Sequence, residues 1–464
     1  MGLTLSHYHN DLHITELYFR KMTLFNDYRL KITKILVSNL VLLSLAFNTS
    51  VVTGQPLEKE INQLMLLHPE IIAEHFKVEI AKSEENAAFS NYYPVLNASA
   101  QTGFQSYQDT GRNVSSDLNH SKYRFELTQN LFKGQRDKFA TAGAAANKSL
   151  KEWSALNVEN DLIYKGISTY LNVMQYHEML LIINNKVDVL KRFIDLKKQS
   201  QSSGAGTVID IYEASLSLQQ VQEQRLNIDG KYRAAFRQYQ IIFEHDPVIG
   251  AMDIPRNLQL KVFESLEQAL EIAKTNNAQL AMAEQRINIA EQEKKAVFGK
   301  YSPEIDVVAA YERETNFQGI EGAKTDRSVF VRLNWDFNMG NQIGDQYDSA
   351  VGKLSSEKYA FQAMGRGVIE QVKLAWEKKE VLQRRLNLSK GTMKIANDLY
   401  QARDKQNTKG SGNEVDLLNA KSQLLSARTA LINVRFEALK ASYELLHAIG
   451  LLQVEFKPGK SETS

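Results

Sequence analysis

Two acidic residues stand at matching places in a chain that otherwise offers little for catalysis. Asp210 lies in TVIDIYEA (Thr207–Ala214) and Asp416 in NEVDLLNA (Asn413–Ala420). Each follows a glycine-bearing stretch, SSGAGT (Ser202–Thr207) and KGSGN (Lys409–Asn413). A carboxylate so placed can accept the N–H groups that the first turn of a helix leaves without partners. Ser411-x-x-Glu414 has the capping-box spacing and Thr207-x-x-Asp210 resembles it. Asp210 therefore reads as a cap, whereas Asp416 sits deeper than its cap requires, where the helix dipole favours an acid. Gly204, Gly206, Gly410 and Gly412 read as the residues that let the backbone reverse tightly.

Nothing else assembles into a reactive site. The chain has no cysteine, which removes thiolate chemistry, disulfides and Cys-based metal sites. His7, His9 and His13 cluster, and His9-x-x-x-His13 is the one His-x-x-x-His spacing, but they fall in a segment expected to be lost on export. Glu84 and Glu85 lie on a solvated helix face and Asp117 in a polar loop, so neither suggests paired acid–base work. No metal site, cofactor or enzymatic activity is expected.

The elements that carry the two acids are a duplication. NYYPVL (Asn91–Leu96) recurs as KYSPEI (Lys300–Ile305), LTQNLFKG (Leu127–Gly134) as LNWDFNMG (Leu333–Gly340), and VIDIYEA as EVDLLNA. The offset is 209 residues at Pro94 and Pro303, and 206 at Gly134 and Gly340 and at Asp210 and Asp416. One slip of three residues is what a single shortened loop produces, and a unit that occurs twice is usually a building block of something symmetric.

The 464 residues exceed one compact core by the usual prior. Charge is balanced, 56 basic against 54 acidic, so no field draws the protein to nucleic acid. Residues 1–54 read as an export signal. Lys31 and Lys34 precede the 13-residue apolar run Ile35–Phe47, which is short for a membrane span, and Met22 would give an ordinary start. The mature chain divides into a first repeat at 55–246, a linker at 247–257 marked by Pro247 and Pro255, a second repeat at 258–454, and a polar tail at 455–464.

Within each repeat the period changes twice. The opening helices, Leu57–Phe89 and Leu266–Phe298, end near the shared proline. Period-2 alternation then marks strands at about 94–108, 120–132, 303–317 and 325–338, with polar hairpin loops at Asp109–Asn119 and Gln318–Asp326. Helical hairpins follow at 134–243 and 341–450. Ile163, Ile167, Tyr170 and Met174 form one apolar stripe, and Val368, Val372 and Ala375 another. Each long helix, if continuous for ~70 residues, is about 100 Å long. Aromatic residues in or near the strands (Tyr92, Tyr93, Tyr107, Tyr301, Tyr311, Trp335) are divided between interfacial girdle and packing roles. Trp153, Trp376 and Tyr170 are read as packing residues.

Four amphipathic strands cannot close a barrel, and lipid does not tolerate open edges. Two chains would give 8 strands, a barrel filled by its own side chains; three would give 12 with room for a lumen, which suits the polar inward face. A symmetric trimer is therefore favoured.

This order of elements, duplicated, with LTQNLF and the TVIDIYEA and NEVDLLNA turns in register, resembles the TolC-type outer-membrane efflux proteins over about 55–454. The resemblance implies a mainly α fold with a β-barrel part, built as a duplicated helix–β-hairpin–long helical hairpin unit. It implies a trimeric 12-stranded outer-membrane barrel continuous with a periplasmic α-helical barrel. The implied function is the passive exit duct of a tripartite type I secretion or drug-efflux system in a Gram-negative outer membrane. A periplasmic adaptor and an inner-membrane transporter are the implied partners, with the adaptor meeting the turns at Gly204, Gly206, Gly410 and Gly412.

The resemblance also implies a gate at the periplasmic mouth. Asp416 matches a carboxylate of the constriction, where three copies would form an acidic ring favouring cations. It stays open between that role and a solvated first-turn acid. The second acid of the family pattern is Asn419 here, which weakens the ring. Asp210 matches a residue that latches the closed state, but the latching arginine is Gly412 and the latching tyrosine Asn407. Closure then uses other contacts, or the resting channel is looser. The alternative is a soluble periplasmic coiled-coil protein that seals its strands against its own helices.

Overall fold

The computed structural model describes residues 56–109, 111, 114–254, 265–337 and 339–456. The expected export segment with its three histidines, linker residues 255–257 and the tail beyond Phe456 lie outside them.

In the first repeat α1 (Leu57–Leu67) and α2 (Pro69–Ser90) lead into β1 (Val95–Asp109) and β2 (Val114–Phe132). The long α3 (Arg136–Ser202) and its return helix α4 (Val208–Phe243) follow. The second repeat supplies α5 (Leu266–Asn276), α6 (Ala278–Phe298), β3 (Glu304–Thr315), β4 (Ala323–Asn334), α7 (Gln342–Thr408) and α8 (Glu414–Ile449), then the short α9 (Leu452–Phe456). Both long helices have 67 residues and both return helices 36. At ~1.5 Å per residue each long helix is about 100 Å.

Three details differ from the sequence reading. Each opening helix is two helices. His68 and Asn277 both leave the α region (ψ 127° and 117°), and Pro69 takes the first position of α2, where its missing N–H costs nothing. No proline marks the second break. Asn277 caps α6 through Gln279 and Leu280 N–H, at 3.0 and 3.3 Å, while its Nδ2 donates to Ala448 O at 3.0 Å. The loop expected at Asp109–Asn119 is mostly strand, because β2 starts at Val114 and Leu118 pairs with Gln105. Ladder hydrogen bonds need only backbone, so polar side chains on both faces did not prevent pairing. β4 stops at Asn334; beyond it Trp335 donates Nε1–H to Tyr301 O at 3.1 Å and packs on Phe337.

The four strands form one antiparallel sheet in the order β1-β2-β3-β4, so β1 and β4 are free edges. The register aligns the apolar positions across all strands: Leu96 faces Leu127, Leu127 faces Ala309, and Ala309 faces Val329. The opposite face is charged and cross-linked. Lys122 meets Glu312 at 3.0 Å, Arg124 meets Glu126, His120 meets Glu314 at 3.0 Å, and Asn130 donates to Asp306 at 2.7 Å. No helix among the described residues is long and apolar enough to cross a membrane.

The main core lies where α1, α3, α4, α5, α8 and α9 meet. Ile61, Ile163, Ile167, Tyr170, Tyr239, Phe436 and Ile449 are buried there. Both expected stripes are buried, with Met174 and Ala375 at their ends. Gly166 allows the approach, since a Cβ there would lie 3.1 Å from Ile61 Cδ1. Tyr170 is a packing residue, and its hydroxyl also bridges the backbone N–H and C=O of Asp253 at 2.9 and 3.1 Å. Toward the turns the helices lie side by side in the order α4, α3, α8, α7; nearer the sheet the order is α2, α3, α6, α7.

Candidate functional site

The two turns that end α3 and α7 are built alike. Ala205 N–H donates to Ser200 O at 2.9 Å and Ser411 N–H to Gln406 O at 3.1 Å. Gly204 and Gly410 take φ of 78° and 72°, a conformation that favours glycine. Gly206 and Gly412 do not. They are needed because backbone lies against them: a Cβ on Gly412 would sit 2.5 Å from Asn407 N. The four glycines thus split into two conformational and two steric roles. Asn407 contributes its backbone to this turn by accepting from Gly410 N–H.

The caps differ. Thr207 and Asp210 form a complete capping box, with Asp210 N–H donating to Thr207 Oγ1 at 3.2 Å and Thr207 N–H to Asp210 Oδ2 at 3.0 Å. Ser411 does not cap the second return helix. Asn413 does, accepting from Val415 N–H at 2.9 Å, while Ser411 Oγ donates back to Gln406 O. The Ser411–Glu414 box fails because the helix starts at Glu414, two residues later than that spacing assumes.

Each carboxylate also meets a base across its hairpin. Lys197 Nζ is 3.1 Å from Asp210, and Arg403 is 3.5 Å from Asp416. Lys197 and Arg403 are repeat counterparts, each thirteen residues before its acid. The Thr207 hydroxyl and N–H, together with Lys197, hold the Asp210 carboxyl at about 2, below the usual range. Asp416 and Asn419 are exposed. Between the repeats, Arg192 on α3 grips Glu414 at the start of α8 through Nε and Nη2, at 2.9 and 2.7 Å. Sequence reasoning missed this pair because its members are 222 residues apart. The Lys197 and Arg403 partners were readable as matching bases in the repeat. Among the described residues no group of three potential ligands is placed to hold a metal.

The profile of the outer membrane efflux protein family matches residues 61–239 and 269–451, one match on each repeat. The chain belongs to the outer membrane efflux protein family. Its relatives include the outer membrane efflux protein BepC of Brucella suis biovar 1 (strain 1330), 19% identical over 382 residues, which are 82% of this chain and 80% of that protein. The fold is also that of the outer membrane protein VceC of Vibrio cholerae (13% identity, TM-score 0.71, covering 85% of this chain and 96% of that one). The CmeC outer membrane channel of Campylobacter jejuni matches similarly (12% identity, TM-score 0.71, covering 85% and 86%). This efflux protein is therefore an outer-membrane exit duct. The sheet is its membrane part and the long helices its periplasmic extension.

Proposed function

We propose that three copies of the efflux protein close into one conduit, a 12-stranded barrel above and a helical barrel below, through which cargo moves passively. One observation carries this. The repeat offset maps the buried seam between α3 and α8 onto two exposed edges. Ile182, Val189 and Phe193 pack with Leu418 and Leu425 inside the chain. Moved by 206 residues, Ile182, Val189 and Phe193 become Leu388, Ile395 and Leu399 on α7, which are 73%, 72% and 41% exposed. Leu418 becomes Tyr212 on α4, 69% exposed. Leu374, Val381, Leu388 and Ile395 recur every seven residues, the spacing of a helix seam awaiting a partner. The free edges β4 and β1 lie on the same two sides. One rotation therefore covers α7 with the next copy's α4 and pairs β4 with the next copy's β1.

In this reading the turns at Gly204, Gly206, Gly410 and Gly412 face the periplasm and dock an adaptor, which links the duct to an inner-membrane transporter. Asp416 contributes one carboxylate per chain to the mouth, with Asn419 neutral and Arg403 beside the acid. Gly412 and Asn407 supply no latch side chain, and Arg192–Glu414 serves as the tie between repeats. In this reading the chain divides into repeats at 55–246 and 258–454 after removal of an export segment. Enzymatic activity has no part in it. Native mass measurement in detergent, combined with planar-bilayer conductance, tests the proposal. A mass of three mature chains with open-channel steps is expected. A folded single chain that stays in buffer after membranes are pelleted overturns it in favour of the soluble coiled-coil protein.

A further inference from the structure

The lipid-side face of the sheet ends in arginine. Both hairpins leave the helices at their first residues, Val95 and Glu304, so position along a strand measures distance from the periplasmic end. Along β3 this face presents Ile305, Val307, Ala309 and Tyr311, then Arg313. Ile305 to Tyr311 spans about 20 Å at ~3.3 Å per residue, close to the apolar band of an outer-membrane barrel. Tyr311 pairs with Arg327, and Arg313 pairs with Tyr123 and Thr325, so the two arginines are diagonal neighbours at the outer limit of that band.

Among the described residues nothing on the sheet neutralises them. Glu126, Glu312 and Glu314 point to the opposite face, where Arg124, Lys122 and His120 hold them. Arg327 lies over the Tyr311 ring, 5.8 Å from its centroid, and among the described residues neither Arg313 nor Arg327 has a carboxylate partner. A lipid-facing arginine is costly at the bilayer midplane and nearly neutral near the interface. Two adjacent guanidiniums at the band's edge are therefore stable at head-group level, where an anion relieves their repulsion. Phosphate is the anion whose geometry suits them.

Directly on the periplasmic side of Arg327 the face is hollow. A shallow groove of about 410 Å³ is lined by Leu96, Phe125, Ala309, Tyr311, Val329 and Arg327. Ala309 makes it, since this small residue sits in the cross-strand row between Leu127 and Val329. An apolar trench closed at its outer end by cations has the polarity of a single lipid. We propose that this groove binds one acyl chain of a phosphate-bearing lipid of the outer leaflet, with the phosphate held by Arg313 and Arg327. The inference rests on the outer-membrane placement of the sheet.

The test uses the full chain purified in mild detergent and titrated with diphosphoryl lipid A, its dephosphorylated form, or inorganic phosphate, with retention read by native mass spectrometry. The diphosphoryl lipid is expected to be retained. Retention should fall at least five-fold in Arg313→Gln/Arg327→Gln and in the groove-filling Ala309→Leu, and fall less in Arg327→Lys, which keeps the charge but not the guanidinium fork. Equal retention by the double glutamine variant, equal retention of the dephosphorylated lipid, or equal binding of inorganic phosphate overturns the site. Oligomer mass and conductance are read on the same samples. Their loss in the unmutated protein counts against the conduit, whereas their persistence with no lipid preference counts against the groove alone.

Discussion

The α3–α8 seam and the two edges that repeat it, on α7 and α4, are built from the same pattern and finished differently. Inside the chain the seam is buried and carries polar ties: Arg192 to Glu414, Lys186 to Ser426 at 2.8 Å, and Gln175 to Asn433 at 2.9 Å. At the counterpart positions the edges carry Asp398 and Val208, Thr392 and Gln220, and Val381 and Asn227. Neither a charge pair nor a matched amide pair survives. A seam within one chain needs fixed register and gains it from directional bonds. In the proposed ring, a seam between copies would have its register set by closure and could be left mainly apolar, where sliding and separation cost less order.

The largest effect that could break this comparison comes from charging the edge. Leu388→Asp with Ile395→Asp should abolish assembly, since each site forfeits about 1.5–3 kcal/mol of burial and adds a buried charge, repeated at every seam of the ring. Native mass should show single chains. Ile182→Asp on the internal seam should instead lower the unfolding midpoint of the chain itself. If both changes act on assembly alone, the two seams are not counterparts.

The two hairpins sharpen it next. Arg403→Gln removes the base beside Asp416 and should raise cation preference in planar-bilayer reversal potentials, while Asp416→Asn should lower it. Lys197→Gln, at the repeat counterpart, should leave selectivity unchanged because Asp210 is committed to its cap. Unchanged selectivity in both Arg403 and Asp416 variants would remove Asp416 from the pore.

Arg192→Ala tests the internal tie. The pair is exposed, so its worth is about 0–1 kcal/mol. A modest rise in open-channel conductance is expected, with chain stability hardly altered.

The smallest effect concerns the caps. Thr207→Ala and Asn413→Ala should each cost about 1 kcal/mol of helix stability. Only the first should carry an acid-sensitive component. Because the folded state holds Asp210 at about 2 against an ordinary 3.8, its contribution is complete above 3.8 and is lost as pH falls toward 2. Helix content followed by circular dichroism over that window should fall less in Thr207→Ala, which has already lost the box.

Much of this was legible in the residues. Proline-free stretches with a coiled-coil stripe announced α3 and α7, and period-2 alternation announced strands wherever one face was apolar. The reading faltered where that contrast vanished. In Ser115–Asn119 a single apolar residue, Leu118, is too little to set an alternation, and the polar rest reads as loop, yet the segment pairs with β1. Asn277 breaks a helix as cleanly as Pro69 does, but asparagine is also common inside helical patterns, and only the fold shows its Oδ1 capping α6 and its amide donating to Ala448 O. At the tip, the duplication itself marked Asp210 and Asp416, and the bases thirteen residues before them were equally visible.

What the sequence determined by itself is the unit: its period changes, its turns and the faces each element must bury. These follow from spacing along the chain, which is local. The tertiary structure decided which long helix lies beside which return helix. Repeat symmetry makes α3 and α7 nearly interchangeable in pattern, and only the summed contacts of whole faces choose between them. That choice brought Arg192 to Glu414 and left Leu388 and Ile395 uncovered, while the pairing of β2 with β3 brought Phe125 and Leu96 to the groove beside Arg327.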